Sequence, residues 1–258
     1  MKIRAAALLF ALAVLPAFAA PRQTPAAPEI LNNVHRVVML GDSITQFGDG
    51  PGGYVWLVRR YLQDLYPGQG FEVINAGISG NKSTDMLARY QTDVLDKKPD
   101  LLTISVGVND VWHGFYDNHP LGDGPRGIPL AEYKKNVESM VTQAEKITNK
   151  IVILSTTVIH EDLDNKENAK AEGYNKALMD IAKRHHLIFC DYQKPFRDII
   201  RTYRRTTGAR DDVLTGDGVH MNSSGNRVMA HTLLTAIGIS PEAQASVQAQ
   251  VQREQSAK

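Results

Sequence analysis

The stretch Val37-Val38-Met39-Leu40-Gly41-Asp42-Ser43-Ile44-Thr45 decides how the chain folds. Its apolar run reads as a buried strand, and the glycine, acid and serine fall where that strand ends. Short continuous apolar runs of this kind fit strands covered on both faces, which belong to parallel sheets. In open α/β sheets ligands sit at the carboxyl ends of the strands. Ser43 therefore falls where a nucleophile is useful. Taken alone, the stretch has an equal second reading, in which Asp42 and Ser43 cap a helix that follows.

Outward from this stretch, apolar runs alternate with longer amphipathic ones. Strands are expected over Val34 to Leu40, Phe71 to Asn75, Leu101 to Val106, Ile151 to Leu154 and Leu187 to Cys190. Helical spacing of apolar residues marks Tyr54 to Tyr66, stopped by Pro67-Gly68, and Ser83 to Asp96, capped by Ser83 or Thr84. It also marks Leu130 to Thr148, Asn168 to His186, a short basic helix from Pro195 to Arg205, and Ser223 to Ile237, capped by Ser223 or Asn222. Strands alternating with helices of this length imply βαβ units. The expectation is one three-layer α/β/α domain over residues 30–240, built on a central parallel five-stranded sheet. Residues 241–258 form a polar tail, either a frayed helix or disordered.

The chain has 258 residues, 43% hydrophobic and 22% charged, enough to bury a full core. A net charge of +1 gives no global signal for nucleic acid or an anionic membrane. Lys2 and Arg4 precede an apolar run from Ala5 to Leu15, and Ala17-Phe18-Ala19 is a small-x-small cleavage pattern. Residues 1–19 read as a secretory signal peptide. The run is short of the roughly 20 residues of a membrane-spanning helix. Cleavage after Ala19 removes two bases and no acid, leaving a charge of −1. Residues 20–29, with Pro21, Pro25 and Pro28, read as an extended linker. The expected location is secreted or periplasmic, without stable membrane insertion after cleavage. Cys190 is the only cysteine, so no internal disulfide forms, and it reads as a buried packing residue.

Four punctuated stretches fall at element ends and should share one edge of the sheet: Gly41-Asp42-Ser43, Asn75-Ala76-Gly77-Ile78-Ser79-Gly80-Asn81, Gly107-Val108-Asn109-Asp110 and Asp217-Gly218-Val219-His220. Their chemistry is complementary. A serine hydroxyl needs a base to take its proton. His220 can be that base, and Asp217, three residues earlier, can hold Nδ1–H and leave Nε2 for Ser43. An oxyanion needs donors. The candidates are the N–H groups of Ser43 and Gly80 and the side-chain amide of Asn109. Gly77 reads as a turn glycine, and Asp110 as a residue that holds its loop.

These four stretches resemble the conserved blocks of the SGNH (GDSL-type) hydrolase family. Ser43 matches the block I serine, followed here by Ile44 rather than leucine. Gly80 matches block II, Asn109 block III, and Asp217 with His220 the Asp-x-x-His of block V. The blocks are in order and span nearly the whole mature domain. The resemblance implies a flavodoxin-like sheet, a Ser-His-Asp esterase mechanism and no metal or other cofactor. It also suggests an O-acetylated carbohydrate as substrate, with a short-chain acyl ester or lysophospholipid as runner-up. The partner is then a small-molecule or glycan ester, not nucleic acid.

Trp112, His113 and Tyr116 follow the Asn109 block and read either as lining the acyl or alcohol site or as surface loop. His160 reads as a loop residue and His185-His186 as a helix end. The run of Arg197, Arg201, Arg204, Arg205 and Arg210 reads as a solvated face or an anionic-ligand site. No Gly-x-Ser-x-Gly elbow or P-loop is present, and Asp162-Leu163-Asp164-Asn165-Lys166 resembles a calcium loop only at its start. A reading of a different class, a non-catalytic glycan-binding protein on the same fold, leaves Asp217 beside His220 without a purpose.

Overall fold

A computed structural model describes residues 25–256; the expected signal segment lies outside them. In chain order the elements are β1 (Arg36–Gly41), α1 (Ser43–Phe47), α2 (Tyr54–Leu65), β2 (Glu72–Gly77), α3 (Ser83–Ala88), α4 (Tyr90–Asp93), β3 (Leu101–Ser105) and α5 (Val108–Trp112). They continue with α6 (Leu130–Ala144), β4 (Ile151–Leu154), α7 (Lys166–Arg184), β5 (Ile188–Cys190), α8 (Gln193–Thr207), α9 (Ser223–Ala236) and α10 (Pro241–Ser256).

The five strands form one parallel sheet in the order β2-β1-β3-β4-β5. Central β1 runs against β2 with Gly41 beside Gly77, and against β3 with Leu40 beside Ile104. The central strands are buried along nearly their whole length, with Val38, Leu40, Leu102, Ile104 and Ile153 fully so. That is why they read as unbroken apolar runs and not as alternating ones. From β1 the chain crosses to β2 on one side. From β3 it proceeds to β4 and β5 on the other. Right-handed crossovers in opposite directions place their helices on opposite faces. Accordingly α2, α9 and α10 pack together, while α3, α6 and α7 form the second group. The reversal between β1 and β3 opens a crevice at their carboxyl ends, the place where such sheets bind ligands.

Three local expectations are corrected. The single helix expected from Ser83 to Asp96 breaks at Arg89, whose side chain turns inward to bond the Asn81 side chain and the Gly41 carbonyl. The N-cap position is Lys82, not Ser83 or Thr84, and the Asp85 carboxylate accepts its N–H. At α9, of the two caps expected, Asn222 is the one that forms, accepting from Ser224 and Gly225. The segment from Ser240 onward is neither frayed nor disordered through residue 256. It forms α10, packs on α2 and α9 and buries Val247 and Val251. The folded unit thus extends past the expected boundary at residue 240.

Candidate active site

The end of β1 delivers Ser43 directly into α1. Asp42 is the cap of that helix and accepts the Ile44 N–H at 2.9 Å, so the cap and the serine are separate jobs of adjacent residues. Burial raises the Asp42 carboxyl to about 6 even though the Ile44 bond pulls it down. A five-residue helix is too short to stand by propensity, and α1 is pinned from β2. The Asn75 amide donates to the Thr45 carbonyl at 2.6 Å, and Gln46 accepts from the Ser79 N–H and hydroxyl. Gly77 permits this contact. A Cβ there would lie 2.3 Å from the Gln46 nitrogen, so Gly77 serves close packing, not a turn.

Asp217 and His220 sit on a tight loop closed by an antiparallel bridge between Thr215 and Met221 and by a Gly216 N–H bond to the His220 carbonyl. Asp217 Oδ1 accepts the N–H groups of Val219 and His220 at 3.0 and 2.7 Å. Oδ2 stands 2.7 Å from His220 Nδ1, and His220 Nε2 stands 2.9 Å from Ser43 Oγ. Burial pushes the Asp217 carboxyl up, but the bonds from the His220 side chain and the loop N–H groups outweigh it and bring the group down to about 2. An ionised Asp217 accepts Nδ1–H, which leaves the lone pair of Nε2 facing the serine. Ser43 itself is only 7% exposed.

Gly80 adopts φ +77°, a left-handed conformation that favours glycine, with open space where a Cβ would project. Asn109, on α5 beyond β3, donates to the Asn81 carbonyl at 3.0 Å, which ties its amide to the Gly80 loop and leaves the second N–H available. Asp110 holds the same junction: both its oxygens accept the Ser83 N–H, at 3.0 and 3.2 Å. Burial raises its carboxyl to about 6. Arg89, missed in the sequence, bonds Gly41 at the end of β1 and Asn81 at once, at 2.9 and 2.6 Å. Its signal was faint, an arginine within an apparent helix.

Trp112, His113 and Tyr116 form one ring cluster, with His113 stacked on Tyr116 at 4.9 Å and the Arg126 guanidinium 4.6 Å over Tyr116. Burial, then Lys82 and Arg126, lower the His113 imidazole. His160 joins the cluster, its ring 6.0 Å from Trp112, and its N–H bonds the Gly218 carbonyl at 2.7 Å. It therefore links these rings to the Asp217–His220 loop. Phe47, 61% exposed, packs its ring 5.3 Å from that of His220. The basic run spans α8 and the segment after it: Arg197 pairs with Glu172 across a surface groove, Arg201 and Arg205 are exposed on α8, and Arg210 is exposed beyond its end. Cys190 is buried, and burial raises its thiol to about 12. Among the described residues no cluster of three or more His, Cys, Asp or Glu is arranged to hold a metal, and no helix is long and apolar enough to cross a membrane.

The arrangement has relatives. An acetylxylan esterase of Geobacillus stearothermophilus is 30% identical over 214 residues, covering 79% of this chain and 94% of that protein. The crystal structure of Axe2, an acetylxylan esterase from the same organism, superposes with a TM-score of 0.69 at 29% identity, covering 80% of this chain and 95% of the other. The isoamyl acetate-hydrolyzing esterase of Saccharomyces cerevisiae is 22% identical, over 78% of this chain and 85% of its own length. The model of the GDSL-like lipase/acylhydrolase family matches residues 39–228, which include every residue of the hydrogen-bonded line described above, and the chain belongs to that family of carboxylic ester hydrolases.

Proposed function

We propose that the chain is a serine esterase that removes acetyl groups from an O-acetylated carbohydrate through an acyl-enzyme on Ser43. The observation that carries this reading is the unbroken line from Asp217 Oδ2 through His220 to Ser43 Oγ, at 2.7 and 2.9 Å. His220 takes the proton of Ser43 as Oγ attacks the ester carbonyl, and Asp217 holds the imidazolium that forms. The Ser43 and Gly80 N–H groups and the Asn109 amide hold the oxyanion. Collapse expels the alcohol, which receives the proton from His220. Water, deprotonated by His220, then releases the acid and restores the serine.

The acetyl group is better supported than the alcohol. The acetylxylan and isoamyl acetate relatives share an acetyl ester and differ in what carries it. The ring cluster of Trp112, His113 and Tyr116, extended by His160, fits a sugar face at the rim. A second reading, a short-chain acyl esterase or lysophospholipase, is favoured by the apolar Phe47 against His220 and by Ile78, also exposed. Residues 1–19 then direct export, to the periplasm or beyond.

A substrate panel separates these. Acetylated xylo-oligosaccharides should be hydrolysed with higher kcat/KM than p-nitrophenyl esters, whose rates should fall from acetate to longer chains. Ser43→Ala should abolish hydrolysis of both. A preference for long acyl chains would overturn the acetyl assignment. No hydrolysis of any ester by the wild-type chain would leave a glycan-binding protein.

A further inference from the structure

The loop between β4 and α7 carries a carboxylate that the chemistry above does not use. Glu161 is only 1% exposed, yet both of its oxygens are occupied by one stretch of backbone. Oε1 accepts the N–H groups of Leu214 and Thr215 at 2.7 and 2.8 Å and the Thr215 hydroxyl at 2.9 Å. Oε2 accepts the Val213 N–H at 2.8 Å. Consecutive backbone N–H groups that converge on one point form an anion-binding concavity. Here the anion is a side chain from 52 to 54 residues away. Bonds of N–H to a carboxylate are roughly twice as strong as neutral ones. The buried charge is tolerable because its acceptor sites are filled.

What Glu161 grips is the root of the loop that carries Asp217 and His220. Thr215 is the residue that bridges to Met221 across the base of that loop. On the other side of the root, Asn222 donates to the carbonyls of Val213 and Thr215. The neighbouring His160 N–H holds the loop at Gly218. Glu161 itself does not float. Asn168, fully buried in the first turn of α7, accepts the Ile159 N–H at 2.9 Å, and its amide binds the carbonyls of Ile159, His160 and Asp162. Bonds from α7 therefore hold the backbone on both sides of Glu161, its carboxylate holds residues 213–215, and the Thr215–Met221 bridge and Asp217 carry the support on to the imidazole.

We infer that Glu161 is a positioning residue: it sets the distance between His220 Nε2 and Ser43 Oγ by fixing the loop root, and never touches substrate. The inference rests on the serine esterase reading above. A displacement of a reacting group by about 1 Å costs on the order of 10²-fold in rate.

The test compares Glu161→Gln and Glu161→Ala with the wild type and with Ser43→Ala, using an acetate ester. Glutamine keeps the shape, but its amide nitrogen cannot accept the Val213 N–H. Its kcat should fall on the order of 10-fold with KM unchanged, and that of alanine on the order of 10²-fold. Formate should restore part of the kcat of Glu161→Ala by entering the vacated concavity, and should do nothing for Glu161→Gln, whose side chain fills it. Each kcat is taken per folded molecule, with the folded fraction read from a melting curve at the assay temperature with and without formate, because partial unfolding also lowers apparent kcat and a ligand of the folded form reverses that. Wild-type kcat in both variants, with only a lower melting temperature, overturns the inference while an inactive Ser43→Ala leaves the esterase reading intact. If the alanine variant does not fold, the glutamine variant decides by its kcat. Activity in Ser43→Ala would overturn the esterase reading and this inference with it.

Discussion

Replacing Asp217 by asparagine separates what this residue does for the loop from what it does for the base. The carboxylate makes three bonds: Oδ1 takes the N–H groups of His220 and Val219, and Oδ2 faces His220 Nδ1 at 2.7 Å. An asparagine oxygen in the place of Oδ1 keeps both backbone bonds, so the loop holds its shape. The amide nitrogen in the place of Oδ2 is a donor. Nδ1 must then present its lone pair, and the ring proton moves to Nε2, the nitrogen 2.9 Å from Ser43 Oγ. A protonated Nε2 cannot accept the serine proton. The side chain of Asp217 is 57% exposed, so solvent screens much of its direct field on the imidazolium. The loss therefore comes chiefly from the wrong tautomer. We expect kcat to fall about 10³- to 10⁴-fold, a barrier increase of about 4–5.5 kcal/mol. The assay is initial velocity on an unactivated acetate ester, followed by acid release, beside a melting curve. The melting temperature of Asp217→Asn should stay near that of the wild type, whereas Asp217→Ala, which drops all three bonds, should lower it. An asparagine variant that keeps more than about a tenth of kcat would refute the tautomer argument.

Two further outcomes follow from the geometry. Asn109→Ala should reduce kcat on the order of 10²–10³-fold with little change in KM; steady-state kinetics that leave kcat unchanged would remove its amide from the oxyanion site. His185 bridges Glu138 and Glu145 at 2.7 and 2.9 Å, and these bonds, that to Glu138 foremost, raise its imidazole above the ordinary histidine value. A raised folded-state value means the stabilisation is complete below the unfolded value and disappears as pH rises through the folded one. His185→Gln should therefore lower the urea midpoint at about pH 5 and have little effect at about pH 9, on either side of the ordinary histidine range; an equal loss at both would contradict the clamp.

The strands were legible because burial on both faces leaves a plain mark, a short run such as Ile151-Val152-Ile153-Leu154, and each of the five expected runs overlaps a strand. What the sequence hid is local structure held by distant partners. Helices α1 and α5, five residues each, carry no periodic signal; α1 exists because Asp42 caps it and β2 pins it. The break at Arg89 depends on Gly41 and Asn81, neither of which a helical pattern reveals. In α10 the buried Val247 and Val251 stand four apart, a helical spacing obscured by the surrounding Gln, Ala and Ser. At the site, Ser43, Asp217 and His220 were readable from residue type and spacing, and the structure sets them in one hydrogen-bonded line. Gly77 was misread because close backbone approach and turn formation leave the same residue behind. Glu161 was passed over, and His160 read only as a loop residue, because their hydrogen-bond partners in the Asp217–His220 loop and its root lie more than fifty residues later.

The line between Ser43 and His220 spans 177 positions of the chain. On the proposed roles, this orders events during synthesis. The serine, the Gly80 turn and the Asn109 helix emerge first and can assemble on β1, β2 and β3. The base and its acid emerge only in the last fifth of the polypeptide, and they reach the serine only when that segment folds back to the carboxyl edge of the sheet. A growing or truncated chain thus carries its nucleophile without a base. Hydrolytic activity then reports on whether the segment carrying Asp217 and His220 has folded back onto the sheet, within reach of Ser43.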